Sequence, residues 1–108
     1  MLGEQEFQHH ADAALAGLYE ALAAAAENFD FDVEMNQGAL TVEFEAPRER
    51  FVVSPNSPVR QIWVSANVQS YKLDWNEARA SFVLAATGQA LLELMAEAIG
   101  RRLPEFEL

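Results

Sequence analysis

Cysteine is absent from this chain of 108 residues, and basic residues are scarce. Without cysteine, the chain cannot form disulfide scaffolds, thiolate zinc sites or a catalytic thiol, and a reducing compartment is favoured. Only seven Lys and Arg accompany 17 Asp and Glu, which gives a net charge of −10. Nucleic-acid binding needs clustered Lys and Arg, so this balance argues against it. A cation or a basic protein surface is the more compatible partner.

Long hydrophobic runs and targeting segments are also missing. No apolar run approaches the roughly 20 residues of a membrane span. The first residues form neither an Arg-rich nor a signal-type segment. We therefore expect a cytoplasmic protein that does not enter a membrane. The length predicts a single domain covering 1–108.

Sequence motifs for catalysis are lacking as well. The chain has no Gly-rich phosphate loop, no dinucleotide fingerprint and no visible Ser–His–Asp arrangement. Its carboxylates cluster at positions that should be exposed, whereas acid–base catalysis needs desolvated groups with separated pKa values. A buried di-iron ligand set of the Glu and Glu-x-x-His type is missing. We therefore expect a binding protein and no enzyme.

Hydrophobic periodicity predicts a helix, then a sheet, then a second helix. Apolar residues recur at three- and four-residue steps from Glu4 to about Glu27, and the period drops to two between Phe31 and Val83. The sequence predicts strands near 31–35, 39–45, 50–54, 60–66, 70–75 and 81–85. The fold class is therefore α+β. We expect a two-layer α/β sandwich, with N- and C-terminal helices packed on one face of a consecutive antiparallel sheet of five to six strands.

Local signals predict where these elements start, turn and end. Asn36-Gln37-Gly38 and Ala46-Pro47-Arg48-Glu49 are predicted to form tight turns. Thr87 is predicted to cap the second helix, and Pro104 to end it. Pro55 should lie outside any central strand, because proline cannot donate a hydrogen bond to a neighbouring strand.

One predicted strand carries its largest side chain among polar residues. In this strand Ile62 and Val64 fall on one face, and Gln61, Trp63 and Ser65 on the other. The aliphatic face of a one-sided sheet meets the core, so Trp63 should lie on the outer face. An exposed Trp beside polar groups is typical of a protein-binding hot spot. The alternative is that Trp63 covers a gap in the sheet.

Carboxylates follow the predicted solvent face of the first helix and continue along the first strand. They form what we call the acidic ridge: Asp12, Glu20, Glu27, Asp30, Asp32 and Glu34. Carboxylates two residues apart on a strand lie roughly 6–7 Å apart. A hard multivalent cation would relieve their repulsion, but each cation would meet only one or two of them, so binding should be weak. The alternative is a solvated acidic face kept for solubility.

The order of several motifs resembles the frataxin family in its short bacterial form. These motifs are Glu6-Phe7, Ala11-Asp12, Asp30-Phe31-Asp32-Val33-Glu34, Asn36-Gln37-Gly38, Pro58-Val59-Arg60-Gln61-Ile62-Trp63-Val64-Ser65 and Leu73-Asp74-Trp75. The similarity runs from about Glu6 through Leu103. The Pro-x-x-Gln-Ile-Trp-Val-Ser segment is its most specific part.

The resemblance implies a function in iron–sulfur cluster assembly. Frataxins are small α–β sandwiches that bind iron (Fe²⁺ or Fe³⁺) weakly on an acidic ridge. They contact the cysteine desulfurase and the iron–sulfur scaffold protein and modulate that machinery. By position, the acidic ridge is then the metal-binding set, and Gln61, Ile62 and Trp63 are the partner-binding set. We expect a monomer, with metal-driven oligomers as an open alternative.

The chain departs from the family pattern at the end of the first helix. Many bacterial frataxins are acidic there, whereas this chain has Ala23, Ala24 and Ala26. We therefore expect fewer or weaker metal sites. One alternative is a frataxin-shaped protein-binding module without significant iron binding. Another is an acidic secretion-type chaperone, which would need a dimer and an apolar groove.

Overall fold

A six-stranded antiparallel sheet, with its strands in sequence order, forms one layer of the protein. The computed structural model describes residues 2–45 and 47–107. Within them the elements are α1 (Glu4–Ala25), β1 (Asp32–Asn36), β2 (Ala39–Phe44), β3 (Glu49–Asn56), a 3₁₀ helix (Ser57–Val59), β4 (Gln61–Ala66), β5 (Gln69–Asn76), β6 (Ser81–Val83) and α2 (Leu91–Arg102). The predicted fold class is confirmed, with six strands in the sheet.

The two helices cover one face of the sheet, and the core lies between the two layers. The buried residues of the helices recur at helical spacing: Phe7, Ala11, Leu15, Leu18 and Leu22 in α1, and Leu91, Leu94, Met95, Ala98 and Ile99 in α2. Alternate strand residues such as Val42, Phe51 and Ile62 complete the core. Among the described residues, the buried set contains no polar or charged side chain. Hydrophobic burial therefore decides which face of the sheet the helices occupy.

Strand register determines which side chains share the outer face of the sheet, opposite the helices. Val42 pairs with Phe51 and Ile62 with Leu73, and all four are buried. Their neighbours in sequence must then project outward, because successive strand residues alternate between the faces. Trp63 therefore belongs to the outer face, as its sequence position predicted.

Two local predictions are wrong. Thr87 does not cap α2, because the N-cap is Ala90, three residues later, and the helix begins at Leu91. The Thr87 hydroxyl instead accepts a hydrogen bond from the backbone N–H of Gln89 at 3.2 Å. Pro55 lies inside β3 and pairs with Ile62. It is tolerated because the pairing of β3 with β2 ends at Val53, so a proline beyond that point interrupts no hydrogen bond to β2.

Tight turns connect the strands. Gln37 and Gly38 both have positive φ between β1 and β2, as do Asn67 and Val68 between β4 and β5. Such φ values are typical of two-residue hairpin turns. In the predicted 46–49 turn, Ala46 lies outside the described residues. No helix within 2–45 and 47–107 combines the length and the apolar character needed to cross a membrane.

Candidate partner surface and acidic ridge

Trp63 stands on the outer face of β4 with 38 % of its surface exposed. Its indole N–H donates a hydrogen bond to the side-chain oxygen of Gln61 at 2.9 Å. The amide nitrogen of Gln61 in turn donates to a carboxylate oxygen of Asp74 on β5 at 3.0 Å. This chain of hydrogen bonds fixes the indole plane while part of the ring stays exposed. An aromatic ring held in one orientation loses little conformational entropy when a partner covers it.

A cation lies beside the same ring. Lys72 on β5 is the cross-strand neighbour of Trp63, and its Nζ lies 4.9 Å from the ring centroid. Cation–π contacts of this kind at exposed sites contribute about 0.5–1 kcal/mol. The surface around Trp63 thus combines an aromatic face, an amide, a carboxylate and an ammonium group.

Ile62 does not belong to this surface. Its side chain is 0 % exposed and points into the core between sheet and helices. A residue adjacent to Trp63 in a strand must face the opposite side. The expectation that Ile62 contacts a partner is therefore corrected. Ile62 anchors β4 in the core. Of the three residues, only Gln61 and Trp63 are available at the surface.

The six carboxylates of the acidic ridge are all exposed, but they lie in different layers. Asp12 and Glu20 belong to α1, whereas Glu27 and Asp30 lie in the connection between α1 and β1. The ridge was predicted to continue from α1 along the first strand through Asp30, Asp32 and Glu34. The strand begins only at Asp32, so this boundary is corrected.

The acidic residues of β1 face away from the helices. Val33 pairs with the buried Val42 and packs against the core, so Asp32 and Glu34 project from the outer face. Because β1 is an edge strand, their carboxylates lie at the rim of the sheet. The ridge is therefore a band of exposed carboxylates that runs from α1 through the α1–β1 connection to the rim of the outer sheet face.

The carboxylates of this band are not arranged as a closed metal site. Within 2–45 and 47–107, no three His, Cys, Asp or Glu side chains are arranged to hold one metal ion. One oxygen of Asp12 accepts a hydrogen bond from Gln8 at 2.8 Å. A cation at the band would therefore meet one or two carboxylates and complete its shell with water, as a hard ion readily does.

Three charged residues near these sites were not among the site residues predicted from the sequence. Lys72 and Asp74 flank Trp63 through the pairing of β4 with β5, and Glu43 lies opposite Asp32 on β2. Glu43 also forms a 3.2 Å ion pair with Arg50. Alternation along β5 indicated that Lys72 and Asp74 share a face. Only the register shows which strand residues they meet.

Comparison with known proteins agrees with this architecture. A family model described as "Frataxin-like domain" matches residues 1–105. The chain is 34 % identical over 85 residues to a protein of Azotobacter vinelandii named "Iron-sulfur cluster assembly protein CyaY". The aligned region covers 75 % of this chain and 76 % of that protein.

Two solved structures share the fold. Frataxin from Psychromonas ingrahamii superposes with a TM-score of 0.74 at 21 % identity, covering 96 % of this chain and 94 % of that one. Yeast frataxin gives a TM-score of 0.71 at 22 % identity, with 98 % and 87 % covered. At these identities the likeness concerns the fold alone. Together with the family model and the bacterial relative, it leads to one conclusion: this chain belongs to the frataxin family.

Proposed function

We propose that this frataxin-family chain is a non-catalytic accessory protein of iron–sulfur cluster assembly. It acts in the cytoplasm as a monomer that docks on the cysteine desulfurase and scaffold protein through Gln61 and Trp63. The observation that carries this proposal is the exposed indole of Trp63, oriented by Gln61 and Asp74 on a mostly polar sheet face. The name of the Azotobacter vinelandii relative supports the choice of machinery.

The acidic ridge supplies a second contact in this proposal. It binds iron weakly, or meets a basic patch of the partner, through Asp12, Glu20, Glu27, Asp30, Asp32 and Glu34. A net charge of −10 favours both kinds of ligand, because it attracts cations over long range. Iron is held at the surface by few carboxylates, so it is exchanged readily instead of being retained as a resident cofactor.

Removal of the Trp63 side chain tests the docking proposal. Binding of the chain to the cysteine desulfurase–scaffold complex of Azotobacter vinelandii is measured by isothermal titration calorimetry. A buried Trp anchor contributes ~2–4 kcal/mol, so Trp63→Ala should weaken binding about 30-fold or more. Leu92→Ala is the matched control, because Leu92 is a comparably exposed apolar residue on α2, in the opposite layer. Equal affinities of Trp63→Ala and the unmodified chain would refute the proposal.

Iron binding is tested separately, because a module without iron binding is the rival function. The absence of a three-ligand group in the described residues and the alanines at the end of α1 favour this rival. The protein is titrated with Fe²⁺ under anaerobic conditions while amide NMR signals are followed. Changes confined to the acidic ridge would support iron binding there. Unchanged signals at millimolar Fe²⁺ would leave the protein-binding module alone.

A further inference from the structure

A small hollow lies beside Trp63 on the outer sheet face. Ser54, Trp63 and Lys72 face each other across β3, β4 and β5. The adjoining row consists of shorter side chains: Val52, Ser65 and Ser70. The large indole and the long lysine side chain next to this row of shorter side chains leave a depression of about 230 Å³, lined by these six residues together with Val64 and Tyr71. The hollow has room for one side chain of a partner.

The charge at this hollow is positive. Like Arg48 and Arg60, Lys72 forms no salt bridge within the described part of the chain, whereas Arg50, Arg79, Arg101 and Arg102 each pair with a glutamate. The near neighbour Asp74 already accepts a hydrogen bond from Gln61. The ammonium group of Lys72 has an aromatic ring as its close contact, although the protein has 17 acidic residues. It is therefore available to pair with an anion of a binding partner.

The remaining lining groups fit a carboxylate on a short apolar stem. Ser54, Ser65 and Ser70 supply hydroxyl donors around the floor of the hollow. The indole N–H of Trp63 is already committed to Gln61, so the ring offers its apolar face and no free donor. Methylene groups of an acidic side chain would pack on that face while its oxygens meet Lys72 and the serines.

We propose that this hollow receives the carboxylate side chain of an Asp or Glu from the protein partner. The inference rests on the proposed function, since it assumes that the partner docks over Trp63. With this site, the docking surface has a positively charged region at Lys72 and a negatively charged region at the acidic ridge. The ridge residues of β1 lie four strands from Lys72, or about 19 Å away at the usual strand spacing. That separation exceeds the ~8 Å screening length at physiological salt. A basic patch and an acidic patch on the partner can therefore be bound independently of each other. The two contacts together fix the partner's orientation.

Four variants test this proposal in the titration with the Azotobacter vinelandii desulfurase–scaffold complex. Lys72→Gln should weaken binding roughly tenfold, because it leaves the partner carboxylate without its counter-charge. Lys72→Arg should bind within about threefold of the unmodified chain, since it restores the charge. Ser65→Leu should weaken binding as Lys72→Gln does, because it fills the hollow. Arg48→Gln is the control for charge, because it removes one exposed cation from the β2–β3 turn and should leave affinity unchanged.

Each outcome separates this inference from the proposed function. Loss of binding in Trp63→Ala without any loss in Lys72→Gln would overturn the carboxylate inference and keep the docking proposal. A loss in Ser65→Leu alone would also overturn it, because the occupant would then be apolar. Failure of the unmodified chain to bind would overturn both proposals. The expected pattern is a loss in Lys72→Gln that shrinks as salt is raised, with binding retained in Lys72→Arg.

Discussion

The hairpin between β4 and β5 carries a strained valine whose replacement by glycine should stabilise the protein. Val68 has φ of 61°, and its side chain is fully exposed at the hairpin tip. Among the described residues, it is the β-branched member of the five non-glycine residues with positive φ. Branching at Cβ makes this left-handed conformation especially unfavourable.

The magnitude follows from two opposing terms. Left-handed backbone costs an L-residue about 1–2 kcal/mol, and a β-branched residue belongs at the upper end of that range. Glycine removes this cost but adds about 0.5–1 kcal/mol of unfolded-state entropy. Because the Val68 side chain is exposed, its removal forfeits no buried surface. Val68→Gly should therefore raise the free energy of unfolding by about 0.5–1.5 kcal/mol and the melting temperature by about 2–7 °C.

Urea denaturation and calorimetry measure this effect, with Val59→Gly as the matched control. Val59 is also an exposed valine, but it lies in the 3₁₀ helix and is absent from the residues with positive φ. There the same substitution should cost at least about 0.5–1 kcal/mol, since the entropic term remains and the half-buried Val59 side chain also loses packing. The reasoning would be refuted if Val68→Gly destabilised the protein as Val59→Gly does. An unchanged urea m-value is required for the comparison.

Two further substitutions test the helices, one in each, and a third in the β1–β2 turn serves as a control. Gly17→Ala in α1 should add about 0.8–1 kcal/mol of stability, because a Cβ there meets no atom within 4 Å and alanine is the better helix former. Gly38→Ala should instead lose stability in the same urea assay, since its φ is 82°; a gain at both sites, or at neither, would contradict the argument. At the start of α2, the Ala90 N–H donates to Glu93 at 2.8 Å and Arg79 lies 3.4 Å away, and both contacts lower the pKa of Glu93 from 4.5. Its stabilising contribution is therefore present above the unfolded pKa and lost as pH falls through the lower folded pKa. Urea midpoints measured from pH 7 to 3 should fall less steeply below about pH 5 for Glu93→Gln than for the unmodified chain, and parallel profiles would count against this role.

The sequence alone was sufficient where a feature depends on periodicity. Alternation in β4 determined that Trp63 and Gln61 face away from the core, because side chains in a strand switch faces at every residue. The three- and four-residue spacing of apolar positions likewise predicted α1 and α2. These properties belong to one segment at a time, so no information about other segments was needed.

Only the tertiary structure decided the features that depend on neighbours. Strand register set Lys72 beside Trp63 and created the hollow next to it. The short pairing between β2 and β3 made room for Pro55 in a strand. The packing of Val33 against the core placed Asp32 and Glu34 on the sheet face opposite α1. Each of these outcomes depends on which segments meet in space, and residues far apart in sequence carry no local pattern that records their contact.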